Sequence, residues 1–146
     1  MTIIVGYKKH TDTYTTYTLA TPDDANCTEL CTLDGTTYVA VPDGVTLPEQ
    51  PQEIADSVQT VTLTPELREA IKAASPHCRL IAYRMQERIR ALYSAEDEMY
   101  LARIAVGQLC STYTLEPGEA DLIDAYQNHV GSCRAWGRAQ RGALGL

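Results

Sequence analysis

The sequence predicts an α+β chain: a small Thr-rich antiparallel β module at the N-terminus, followed by a helical bundle of about four helices. Three observations carry that expectation. Threonine crowds the front of the chain, and after Pro65 only Thr112 and Thr114 remain; Thr suits pleated, half-exposed strands better than helices. Asp34-Gly35 stands between two alternating runs, and this dipeptide favours a tight hairpin because both central positions take positive φ. Beyond Leu63 the chain carries repeated helix-start signals at Thr64-Pro65, Ser75-Pro76, Ser94 and Glu116-Pro117. A polar cap, or a proline at the first helical position, leaves no N–H wanting a partner. The expected organisation is a β module over residues 1–44, a Pro-containing linker and possible last strand over 45–63, and a helical domain over 64–146.

The elements follow in order. Thr2 to Val5 is a short strand candidate. Lys8 to Asp12 turns toward Thr13–Leu19, whose alternation suits a strand with two modestly polar faces. Cys27 to Val41 is the hairpin, with Leu33, Tyr38 and Val41 as its apolar surface. Pro42-Asp43-Gly44 is a second turn. Val45 to Gln52 holds Pro48 and Pro51, which withhold donors and favour an extended strip. Val58 to Leu63 alternates as a last strand. The module has no Phe or Trp and few large aliphatics. Its edges are therefore expected to pair with another chain or to pack on the helical half.

The first helix runs from Pro65 to about Ala74. The second runs from Pro76 to about Tyr93, with an apolar stripe of Cys78, Ile81, Met85, Ile89 and Leu92. Ser94 followed by Glu96, Asp97 and Glu98 caps a third helix, since acids suit the positive N-terminus. Its core candidates are Leu101, Ile104, Ala105 and Leu109. The fourth starts at Glu116-Pro117 and carries Ile123, Tyr126, Val130 and Cys133, with Trp136 near its end. The Arg141–Leu146 tail contains two glycines and is expected to fray or to dock on a partner. Stripes of this kind call for mutual burial in a small bundle.

Charge divides the chain unevenly. Residues 1–60 carry two lysines against nine acids, whereas residues 61–146 balance ten against ten, so the whole net charge of −7 lies in front. That balance disfavours nucleic acid, which needs a basic footprint. Hydrophobic content of 45% and charged content of 21% are ordinary for a folded domain. No apolar run approaches the ~18 residues of a membrane span. Lys8 and Lys9 follow a short apolar run rather than precede it, so the start does not read as a signal peptide.

The candidates for chemistry are sparse. Cys27, Cys31, Cys78, Cys110 and Cys133 form an odd, scattered set that fits reduced thiols made in a cytosol. On a strand, Cys27 and Cys31 stand ~13 Å apart, too far to share one ion. Among His10, His77 and His129, His77 neighbours Cys78 and His129 precedes Cys133 by one helical turn; a thiol enzyme would need one of these cysteines exposed and activated. The acids Glu96, Asp97, Glu98, Glu119, Asp121 and Asp124 lie in helix first turns, where the dipole already accounts for them. The arginines of the second helix (Arg79, Arg84, Arg88, Arg90) and of the fourth (Arg134, Arg138, Arg141) form a solvated face, a contact for acidic surface in this chain or a neighbour, or a nucleic-acid face. Gly107, Gly131 and Gly137 are isolated and make no phosphate loop. No residue stands out as catalytic, cofactor-binding or metal-binding.

Three stretches stand out together: Leu33-Asp-Gly-Thr-Thr-Tyr-Val-Ala-Val-Pro42 with the Pro-rich strip after it, Ile89-Arg-Ala-Leu-Tyr-Ser-Ala-Glu-Asp-Glu98, and Ala125-Tyr-Gln-Asn-His-Val-Gly-Ser-Cys-Arg-Ala-Trp136 running to Leu146. They resemble small proteins encoded among the tail and tail-fibre genes of tailed bacteriophages. About two-thirds of the chain is covered, in style and segment; the first 26 residues lie outside the resemblance. It implies a non-enzymatic virion part without a cofactor, made in the bacterial host cytoplasm, contacting other virion or tail-fibre proteins and forming a homo-oligomer. Tyr14, Tyr17 and Tyr38 on the β module, and Arg84, Arg88, Trp136 and Leu146 on the helical half, are the expected partner contacts. The alternatives are a tail-fibre assembly chaperone, a helical regulator binding nucleic acid, and a thiol enzyme.

Overall fold

The computed structural model describes every residue from Met1 to Leu146. The chain is α+β, with an N-terminal antiparallel sheet followed by helices. The order is β1 (Ile3–Tyr7), β2 (His10–Thr11), β3 (Thr16–Tyr17), β4 (Thr28–Leu33), β5 (Thr36–Val41), α1 (Gln52–Ala55), β6 (Gln59–Val61), α2 (Pro65–Ala74), α3 (Pro76–Arg90), α4 (Ala95–Leu109) and α5 (Glu119–Ala143). Two compact units result. One comprises residues 1–80 with 140–146; the other comprises residues 81–139.

In the first unit, four strands lie in the order β4-β5-β1-β6, and every pairing is antiparallel. The β4–β5 turn forms where the sequence calls for it: Asp34 and Gly35 take φ of 48° and 78°, as the tight hairpin requires. A register shift between Glu29 and Cys31 lets Leu30 and Cys31, though consecutive, join one core cluster. Across the hairpin, the Thr32 and Thr37 hydroxyls pair at 2.9 Å.

Both faces of this sheet are covered from within the unit. On one, Ile4, Leu30, Cys31 and Ala40 pack with Ile71, Cys78 and Leu146. On the other, Val5, Tyr7, Val39 and Val41 pack with Ile54, flanked by Leu19, Val45, Leu47 and Val58. Residues 45–58 thus pack over that face through Val45, Leu47, Ile54 and Val58, and the expected last strand follows as β6 on the edge of the sheet. The two prolines withhold donors there, and the Gln50 side chain supplies the missing pairing. Its amide accepts from the Ala20 N–H at 2.9 Å and donates to the Ala20 carbonyl at 3.0 Å.

The Thr13–Leu19 strand is cut short. The Asp12 carboxylate accepts from the N–H groups of Tyr14 and Thr15, both at 2.8 Å, and this side-chain turn leaves only the two-residue pair β2–β3. The tail also departs from expectation. Its last residues pack on the core of their own unit, where Leu146 is buried, and the Thr2 hydroxyl donates to the Ala143 carbonyl at 3.0 Å.

The helix punctuation works largely as read. Thr64 accepts from the Leu67 N–H at 3.2 Å and caps α2. Ser94 and Asp97 cap α4 reciprocally. In the second unit α4 and α5 share a core of Leu101, Ile104 and Ile123, with Tyr93, Ala105, Leu115 and Tyr126 around it. Helix α4 ends in a reversal: the Ser111 N–H reaches the Gln108 carbonyl at 3.0 Å and the Thr112 N–H reaches that of Gly107 at 2.8 Å, with Ser111 at φ 57°. Glycine normally fills that left-handed position because it has no Cβ to clash.

Two stability changes follow. Ile71→Ala empties a fully buried site and should cost about 2–5 kcal/mol. Ser111→Gly relieves the left-handed strain and should add up to about 1 kcal/mol. Urea unfolding of each variant reads both values.

Candidate functional site

The cysteine–histidine pair comes first, as the nearest thing to a reactive centre. Cys133 Sγ lies 3.6 Å from His129 Nε2, and the same nitrogen lies 2.9 Å from the Arg88 carbonyl. A carbonyl only accepts, so Nε2 must carry the proton in that contact. It is then not free to take one from Cys133, which is itself buried. The pair packs rather than activates. Cys27 is half-buried and Cys31 buried, and burial pushes both thiols up. No group of three His, Cys, Asp or Glu side chains stands close enough to hold a metal ion.

Among the first-turn acids, Glu119 at the start of α5 has partners beyond the helix dipole. Glu119 is only 6% exposed. Its carboxylate accepts from the Tyr100 hydroxyl on α4, from the Tyr113 hydroxyl at 3.0 Å, and from the Glu116 N–H at 2.8 Å. Gly107 makes the cluster possible: a Cβ there would meet the Tyr113 Cβ at 2.7 Å, so only glycine lets the connector fold back this closely. Hydrogen bonding, from Tyr100 foremost, holds the Glu119 carboxyl below its ordinary range. In return the Tyr100 phenol is pushed up to about 12 and that of Tyr113 is raised. Every donor comes from the chain itself, so the group is a clasp between α4 and α5. Its only sequence signal is Glu119 three residues after a cap-like Glu116, since a side chain at that place reaches back to the cap N–H.

The expected contact residues fall into four groups. Tyr14 sits exposed on the β2–β3 turn, and Arg84 is exposed on α3. Tyr17 and Tyr38 are half-buried against the two cores of the sheet. Arg88 and Trp136 meet each other, the guanidinium carbon 4.3 Å from the ring centre, a cation–π contact of about 0.5–1 kcal/mol. Leu146 is mostly buried, packed in the core of its own unit rather than presented on the helical half.

The second unit has an apolar exterior of its own. Among its 59 residues only Leu101, Ile104, Glu119, Ile123, Cys133 and Gly137 are buried. Tyr83, Leu92, Met99, Val106, Leu109 and Leu122 all stand exposed. Leu109 was expected in the core. It lies five residues beyond Ile104, roughly 140° around the helix, and so faces away. Leu92, Tyr93, Asp97, Tyr100, Leu101 and Leu122 line a shallow groove of about 280 Å³. Isolated exposed apolar residues are ordinary, but a grouped set marks an interaction surface.

Comparison with protein-family models, with curated proteins and with solved structures finds no match for this chain.

The clasp carries a pH dependence of known sign. A carboxyl lowered by folding contributes stability that is present above its unfolded pKa and lost as pH falls through the folded one. Glu119→Gln should therefore lower the melting temperature at pH 7, and the deficit should shrink as pH drops below about 4. A phenol raised by folding behaves oppositely, stabilising below its unfolded pKa and losing that contribution as pH rises through the folded one. Tyr100→Phe should remove the part of the alkaline loss that falls between pH 10 and about 12. Thermal melts across pH measure both.

Proposed function

We propose that this chain is a non-enzymatic structural protein of the tail or tail-fibre region of a tailed bacteriophage. It is made in the host cytoplasm, carried in the virion, and works through subunit–subunit contacts. The observation that carries the contact reading is the apolar exterior of the second unit. A helical body that buries so few of its side chains, while exposing leucine, valine, methionine and tyrosine, gains most from a neighbour that covers them. The phage assignment rests on the resemblance of the three stretches around Leu33–Pro42, Ile89–Glu98 and Ala125–Trp136.

The charge distribution supports the same reading. The acidic front half gives an approaching subunit a field of one sign, which steers encounter and discourages wrong contacts. Arg84, Arg90, Arg103, Arg134 and Arg138 make no ion pair within the chain. They are free to meet carboxylates of a neighbour.

Mass spectrometry of purified particles that encode this chain tests the proposal. The expected result is its peptides at a fixed ratio to a tail protein; their absence overturns the virion assignment. Co-expression with the fibre separates the chaperone. If the fibre folds only in this chain's presence and finished particles lack it, the structural reading falls. A gel-shift titration with duplex DNA should show no salt-sensitive complex.

A further inference from the structure

Helix α4 is apolar on two opposite sides. One side carries Leu101 and Ile104 into the core shared with α5. The other carries Ala95, Met99, Ala102, Val106 and Leu109, spaced by four, three, four and three residues. That spacing is a heptad seam, the pattern by which one helix packs along another. Met99, Val106 and Leu109 are 63%, 57% and 84% exposed, so nothing in its own unit covers the seam.

The charges beside the seam are specific. Arg103 is the only basic residue of α4, and it has no ion pair in the chain. It lies on the same flank as Glu96, seven residues earlier, which is exposed. Glu98 lies on the opposite flank and is already engaged, accepting from the Tyr126 hydroxyl at 2.9 Å.

We propose that this outer face of α4 docks against the same face of a second copy, the two helices antiparallel about a two-fold axis. This rests on reading the chain as a subunit. An antiparallel register centred between Tyr100 and Leu101 sets Met99 against the partner's Ala102 and Val106 against the partner's Ala95. Large then meets small in each layer, as close packing requires. The same register brings Arg103 to the partner's Glu96, and by symmetry Glu96 to the partner's Arg103. It also carries Leu109 toward the partner's Leu92, itself exposed. A self-complementary patch on both copies is what a two-fold interface demands. A contact based on one fifteen-residue helix is at the small end of specific interfaces, so the dimer should dissociate in the micromolar range.

Sedimentation equilibrium of the full chain over a concentration series tests this. The wild type should shift from 16.1 kDa to twice that mass. Val106→Lys should weaken the association at least tenfold. Glu96→Arg and Arg103→Glu should each weaken it, and the double variant should recover. All these side chains are exposed, so circular dichroism should show unchanged helix content. A wild type that is monomeric throughout, or association indifferent to Val106→Lys, overturns the inference. Arg103→Glu weakening association while Glu96→Arg does not overturns the antiparallel register. Association that survives every variant would sink this face yet leave the subunit reading standing, since particle composition tests that separately.

Discussion

A helix has a circumference, and α4 has more apolar surface than its neighbour can cover. Leu101 and Ile104 face α5, and the opposite side carries a second apolar stripe with no partner in its own unit. In water that stripe is a standing cost of about 25 cal/mol for each Å² left uncovered. The rest of the second unit holds α4 in place while leaving that side open. The capping box at Ser94 and Asp97 starts it, the reversal at Ser111 stops it, and Glu119 ties its Tyr100 to the start of α5. Tyr93 meets Tyr126 edge-on, ring centres 5.1 Å apart, and lies beside His129. These contacts fix which side faces inward and therefore which side stays out.

The first unit solves the opposite problem. Its strands contribute modest side chains, and the sheet is completed by segments that look least like secondary structure. The proline strip and α1 cover one face, with Ile54 as the buried anchor; α2 and the chain's last residues cover the other. The large apolar side chains it leaves exposed are Met1, Ile3, Tyr14 and Leu80. The outer strands are short or bulged, which blunts pairing with foreign edges. The two units thus divide the work, one closed on itself and the other open.

Much of this was legible from residue order. Asp34-Gly35 named its hairpin because only a few residue types accept two positive φ values in a row. Thr64 and Ser94 marked helix starts because capping is local chemistry, whereas Ser75-Pro76 did so through the proline, the Ser75 hydroxyl being buried without a partner. Long-range covering was not legible. Pro48 and Pro51 read as a linker because prolines deny donors, yet the Gln50 amide stands in for backbone pairing with Ala20, thirty residues away. Two glycines made the tail read as loose, whereas its place in the core depends on strands far back in the chain. Leu109 was assigned to the core by apolar character alone, when its angle around the helix assigns it outside. Glu119 reads as a first-turn acid, but its clasp was not legible because Tyr100 and Tyr113 reach it from two places outside its own helix.

The central claim is that the outer side of α4 is covered in the working molecule. Hydrogen–deuterium exchange of the intact protein at several concentrations tests it most directly. Amides of Ala95–Leu109 should gain protection as concentration rises, while those of β1 and β5 stay constant. Exchange in α4 that is rapid and independent of concentration would contradict the account.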